Sequence, residues 1–133
     1  MLGEQIAELK GKVMGQRVLE SEGPSIETTI SFDGTYKGIP AKMTVTFVGR
    51  LTSAGVIHGE GHGVVMAGES DVATFTAEAF GRINPAGARS FRGAHFFRTS
   101  PSGKLAFLNN VVGVFESEID AAGNVTHKTW EWK

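Results

Sequence analysis

Apolar and polar residues alternate with a period of two along most of this 133-residue chain. IETTISF (26–32), AKMTVTFVGRLT (41–52) and ATFTAEAFGRI (73–83) are the clearest runs, rich in the β-branched and aromatic residues that suit a pleated, half-buried surface. Turn-forming clusters punctuate them: EGPS (22–25), DGTYKGIP (33–40), TSAG (52–55), AGES (67–70), NPAG (84–87), TSPSG (99–103) and DAAGN (120–124). The pattern predicts eight strands, at about 11–21, 25–33, 41–53, 55–66, 71–83, 88–98, 104–118 and 125–132. Only EQIAELK (4–10) has helical spacing, enough for a turn or two. Eight consecutive strands on short loops imply an all-β, antiparallel up-and-down barrel, calycin-like in outline, which closes its own edges. A sandwich would need longer crossovers than this chain offers.

Facing follows from hairpin parity. Two-residue loops at Ser53–Ala54 and Gly68–Glu69 would set His58, Glu60 and His62 beside Met43, Val45, Phe47, Phe75, Ala77 and Ala79, pointing inward. An even loop at Pro85–Ala86 would add Ser90, Arg92, Ala94 and Phe96 to the interior, and one through 100–103 would add Phe107, Asn109, Val111 and Phe115. The last hairpin, if even, brings in Trp130 and Trp132; by this parity His95 and His127 both fall on the outer face. In the second strand Ile26, Thr28, Ile30 and Phe32 form the inner row; in the first, Arg17 with Leu19 and Gln16 with Val18 both remain open.

The segment VIHGEGHG (56–63) concentrates the candidate chemistry. A metal centre built from His58, Glu60 and His62 meets a distance problem, since side chains two apart on a strand are roughly 6.6 Å apart and those four apart roughly 13 Å. Zinc needs its ligands at about 2 Å, and no second histidine pair faces these three, so no metal or cofactor is expected. A phosphate-binding glycine turn would lead into a helix, and valines follow instead. Three polar groups in one inward row are costly unless paired, and Arg92 and Asn109 are the expected partners. Phe47, Phe75, Phe96, Phe107, Trp130 and Trp132 would stand around them, the usual make-up of a small-molecule pocket. A barrel of this size can equally be packed solid. Outside, Phe80, Phe91, Val112 and Val114 form an apolar row that suits a homodimer interface.

Composition narrows the classes. A formal net charge of −1 with interspersed signs argues against a nucleic-acid binder. No apolar run is long enough to cross a bilayer as a helix, and MLGEQIAELKGK lacks the features of a signal peptide. With no cysteine there is no disulfide or thiolate chemistry, and the expected location is cytoplasmic.

GEGHG (59–63), FRGAHFF (91–97), LNNVVGVFESEID (108–120) and TWEWK (129–133) make the chain resemble the small calycin-type barrels, in particular the allene-oxide-cyclase-like group. That resemblance implies a barrel enclosing a hydrophobic ligand; none of the cyclase's catalytic residues has a counterpart here. The leading expectation is therefore a barrel that binds a small, largely apolar molecule with a polar or anionic head. Its rivals are an isomerase, cyclase or hydrolase using a histidine tuned by Glu60 as acid or base, and a filled structural barrel.

Overall fold

The computed structural model describes residues 1–52 and 55–133. The alternating runs form strands β1 (Leu2–Glu20), β2 (Ser25–Tyr36), β3 (Ile39–Leu51), β4 (Val56–Ala67), β5 (Asp71–Ile83), β6 (Arg89–Thr99), β7 (Val112–Ile119) and β8 (Asn124–Trp132). Each pairs antiparallel with the next, and β1 pairs with β8 to close the barrel, so every strand has partners on both sides. No helix among the described residues is long and apolar enough to cross a membrane.

The two ends of the chain depart from the expected boundaries. Residues 4–10 are strand, not helix: Ile6, Ala7 and Leu9 are buried, and Ala7 and Leu9 pair with Tyr36 and Gly34 on one side and with Thr129 and His127 on the other. Closure supplies hydrogen-bond partners on both edges, which outweighs a weak local helical preference. Irregular pairing between Val13 and Gly15 then shifts the register, so that the open question in β1 resolves toward Gln16, opposite inward Thr28 with Nε2 donating to Thr28 Oγ1 at 3.2 Å. β7 begins only at Val112, because residues 100–111 leave the wall and cap one end of the barrel with a 3-10 turn, Ala106–Leu108. Leu105 and Leu108 are buried there, and Phe97 exchanges backbone hydrogen bonds with Val111 and Asn110.

Loop length decides the facing of every strand after β3. Lys37–Gly38 is a two-residue turn with both φ angles positive (48° and 77°), the type I′ geometry that matches strand twist. The later hairpins are one residue longer. Asn84 pairs with Ala88 and Asp120 with Asn124, each leaving three residues in the loop. Asn84 Oδ1 accepts from the N–H groups of Ala86 and Ala88, and Asp120 Oδ1 from those of Ala122 and Asn124. Gly87 and Gly123 take the positive φ (89° and 86°) that ends such a loop. Ala67 pairs with Asp71, again an odd connection. The two-residue turn expected at Ser53–Ala54 lies outside the described residues; on either side of it the ladder pairs Leu51 with Ile57 and sets Gly49 opposite Gly59.

The register that pairs Leu51 with Ile57 inverts β4. The inner row is Gly59, Gly61, Gly63 and Val65, while His58, Glu60 and His62 lie on the outer wall. The two parity errors agreed because each was off by one residue in the same sense. They cancel in β5, where Phe75, Ala77 and Ala79 do face inward, and β3 keeps Met43, Val45 and Phe47 inside. Inward glycines leave space for aromatic rings. A Cβ on Gly63 would meet the Phe75 ring and, at 2.7 Å, the Thr44 carbonyl oxygen.

Candidate interior site

The same inversion runs through β6 and β8. Phe91, Gly93, His95 and Phe97 face inward in β6; Val125, His127 and Thr129 do so in β8. Arg92 and Phe96 are exposed, and Trp130 and Trp132 lie on the outer wall, Trp132 at 55% exposure. Phe91, expected in an outer apolar row, is 5% exposed and belongs to the core. Phe80 is outside as expected, and Val112 and Val114 are half-buried, but Phe80 pairs with Arg92 rather than with an apolar neighbour. Apolar neighbours on the outer wall are instead Phe96 beside Val112, Val114 beside Trp130 and Met66 beside Val72. Asn109 and Phe107 sit in the capping segment: Asn109 Oδ1 accepts from Thr99 N–H, and Lys37 Nζ lies 5.0 Å over the Phe107 ring. Ser90 and Ala94 likewise stand on the outer row, opposite Arg82 and Glu78.

The ionisable groups buried inside include the two histidines that the expected facing placed outside. His95 is 3% exposed and wedged between rings, with Phe75 stacked at 4.1 Å, Phe115 tilted at 4.4 Å and His127 stacked at 5.3 Å between centroids. His127, also 3% exposed, has Nδ1 2.6 Å from Ser117 Oγ and Nε2 2.9 Å from Thr129 Oγ1. A neutral imidazole donates through one nitrogen and accepts through the other, and two hydroxyls can answer either arrangement. Burial, and after it the neighbouring His127, holds His95 well below the ordinary imidazole range. Burial alone brings His127 down to about 3. Both rings are therefore neutral at pH 7. His95 Nδ1 is buried and meets no hydrogen-bond partner among the described residues.

These rings border a cavity at the barrel centre, walled by Ile30, Val45, Phe47, Phe91, Phe115 and Ile119, with Ser117, His95 and His127 as its inward polar side chains. Counted as space open to the centre of a water-sized sphere, its volume is about 60 Å³. One water needs roughly 10–15 Å³ by that measure, so the chamber has room for a molecule of a few non-hydrogen atoms. Beyond Phe47 and Phe91, whose rings meet edge to face at 5.5 Å, lies a second hollow of about 140 Å³ at the barrel mouth, bordered by Gln16, Ile26, Leu51, Ile57, Ile83 and Arg89. The capping segment follows the Thr99 end of β6 and the mouth lies at its Arg89 end, so chamber access runs past the two phenylalanines.

Outside, the inverted β4 makes a different cluster. His58 Nε2 lies 2.7 Å from Glu78 Oε2 and 3.8 Å from Glu60 Oε1, and the ring packs against Phe80 at 5.4 Å. The distance problem met by His58, Glu60 and His62 is eased here by Glu78 from the adjacent strand: the three ligand atoms of His58, Glu60 and Glu78 all lie within 4.8 Å of one another and could hold a metal ion. Both carboxylates are exposed. His62, also exposed, stands outside this group.

One sequence signal could have corrected the facing. Proline cannot adopt positive φ, so Pro85–Ala86 could never be the two-residue primed turn that an even loop requires. Alanine before glycine in NPAG and DAAGN suits a three-residue loop ending on glycine in the same way.

The fold and its interior define a small, closed, up-and-down antiparallel barrel with a hollow, largely apolar centre. Solved structures share that architecture across nearly the whole chain. A protein of unknown function from Clostridium acetobutylicum superposes with a TM-score of 0.81 at 13% identity, covering 98% of each chain. A conserved protein of unknown function from Rhodopseudomonas palustris gives 0.77 at 12%, covering 98% of this chain and 97% of the other. A beta-barrel like protein from Acinetobacter baumannii gives 0.80 at 13%, covering 100% and 96%. At such identities the likeness is one of fold. No family model and no curated protein matches the sequence.

Proposed function

We propose that this barrel binds a small, largely apolar molecule in its central chamber, with one polar atom of the ligand hydrogen-bonded to His95. The observation that carries the reading is the buried, unpartnered Nδ1 of His95, whose ring borders the largely apolar cavity. A buried polar atom without a partner costs about 1–3 kcal/mol, and a ligand hydroxyl or carbonyl would offset that cost. The two neutral imidazoles favour an uncharged group at this depth, because among the described residues no cation lines the chamber to compensate an anion. The calycin-type likeness supports the same reading, since such barrels enclose apolar ligands. Acid–base catalysis tuned by Glu60 loses its geometric basis, because that carboxylate points to solvent.

1-Octanol serves as the probe, its hydroxyl end in the chamber and the rest of its chain extending past Phe47 and Phe91 into the mouth hollow. It should bind in isothermal titration calorimetry and raise the melting temperature. His95→Leu should weaken binding by roughly five- to tenfold, the worth of one buried hydrogen bond. The ligand-free variant should be as stable as the parent or more so, since it removes an unpaired polar atom. Unchanged affinity together with lowered stability would assign His95 to the structure alone. Absence of both octanol binding and a xenon-induced NMR shift at the chamber would end the binding hypothesis.

A further inference from the structure

We infer that the ligand is an amphipathic acid, its carboxylate held at the barrel mouth by Arg89 while its body passes Phe47 and Phe91 into the chamber; the inference rests on the chamber-binding reading above. Arg89 opens β6 in register with inward Ile119, which is 1% exposed, so its side chain belongs to the inner row. It is half-buried and is the only charged residue among those that border the mouth hollow. Among the described residues it makes no ion pair. Glu118, which borders the neighbouring surface hollow with Arg89, is an exposed outer-row residue and does not pair with it.

A half-buried cation in an apolar rim is costly without a counter-charge, and a guanidinium fork matches a carboxylate bidentately. The opposite side of the mouth offers Gln16, a neutral amide already donating to Thr28, and no carboxylate competes for the site. Two polar anchors therefore flank the phenylalanine pair that borders both hollows, Arg89 at the mouth and His95 at the chamber. They lie six positions apart on β6, roughly 20 Å along the strand, and the reach of both side chains shortens that to the length of a chain of about eight carbons.

The test compares 1-octanol with 8-hydroxyoctanoate, which keeps the chain and the hydroxyl and adds a carboxylate at the far end. Calorimetry on the intact protein at pH 7.5 should show 8-hydroxyoctanoate binding roughly tenfold or more tighter, the strength of a charge-assisted hydrogen bond. Arg89→Met should erase that preference, and Arg89→Lys should retain part of it, with circular dichroism confirming that both variants fold. Equal or weaker binding of the acid by the parent protein overturns the inference and leaves the chamber reading standing. A preference that survives in Arg89→Met also overturns it, and binding of neither probe overturns both.

Discussion

The barrel is expected to lose stability steadily as pH falls below about 6.5, well before the carboxylates titrate. An unfolded chain protonates His95 and His127 near pH 6.5. In the folded protein burial keeps both neutral, His127 down to about pH 3 and His95 well below its ordinary range. Between those limits the unfolded state binds more protons than the native one, so unfolding free energy rises with pH and falls with acid. Each imidazole contributes a slope of up to about 1.4 kcal/mol per pH unit. Across its whole window His127 alone is worth on the order of 5 kcal/mol, a large part of the 5–15 kcal/mol that usually separates folded from unfolded. Glu4 and Asp120 act in a lower range. Glu4 is held down by its hydrogen bond and charge pairing with Lys37, and Asp120 by hydrogen bonds from Asn124. Such carboxylates lose their contribution only as pH drops through their depressed values, and both are fully exposed, so their effect is small. Urea unfolding at half-unit steps from pH 7.5 to 5 should therefore show a clear decline in the parent protein. The slope should be much flatter in a His95→Leu, His127→Gln double variant. A parent profile that is level over this range, or a slope that persists in the double variant, would mean that these imidazoles are not held neutral inside.

The second large effect separates two glycines of β4. A Cβ added to Gly61 would sit 2.5 Å from the Thr46 carbonyl oxygen and 2.9 Å from Phe47 Cα, so backbone would have to move. A Cβ on Gly59 would meet Phe47 Cδ2 at 3.7 Å and the Ala79 carbonyl oxygen at 3.8 Å, ordinary contact beside the chamber. Replacing glycine by alanine without strain gains about 0.4–1 kcal/mol by restricting the unfolded chain. Overpacking against a wall that cannot yield costs about 1–3 kcal/mol. Gly59→Ala is expected to hold or slightly raise the melting temperature, and Gly61→Ala to lower it by roughly 5–10 °C. Thermal unfolding followed by circular dichroism decides between them. Equal melting temperatures for the two variants would place the glycine row outside the barrel and return the histidines to the interior.

The difference between what could be read and what could not lies in how each property is encoded. Strand content and order follow from period-two alternation and turn residues, which are local, so β2 through β6 appear within a few residues of their expected bounds. Closure follows from eight successive hairpins, a topology with little alternative. The inner rows of β2, β3 and β5 were legible too, because alternation keeps one face of each mostly apolar and the other mostly polar, with Val72 and Phe80 of β5 as outer exceptions.

Other features are tertiary. Residues 2–10 became strand because β8 supplies a second edge for them, which no local preference reports. The capping segment left β7 because Leu105 and Leu108 find burial across the end of the barrel. The facing of β4, β6 and β8 depended on single residues in loops, and both faces of those strands carry plausible core groups: histidines and a glutamate against glycines in β4, Phe96 against Phe91 and Phe97 in β6. Alternation specifies that a strand has two faces, and by itself it fixes nothing about which one is inside when glycine is the residue that fits. Here the rings of Phe47 and Phe75 claim the space above Gly61 and Gly63, so the small residues go in and the ionisable ones go out. The chain's composition and periodicity determined a closed antiparallel barrel; three-dimensional packing decided that its interior chemistry belongs to His95 and His127.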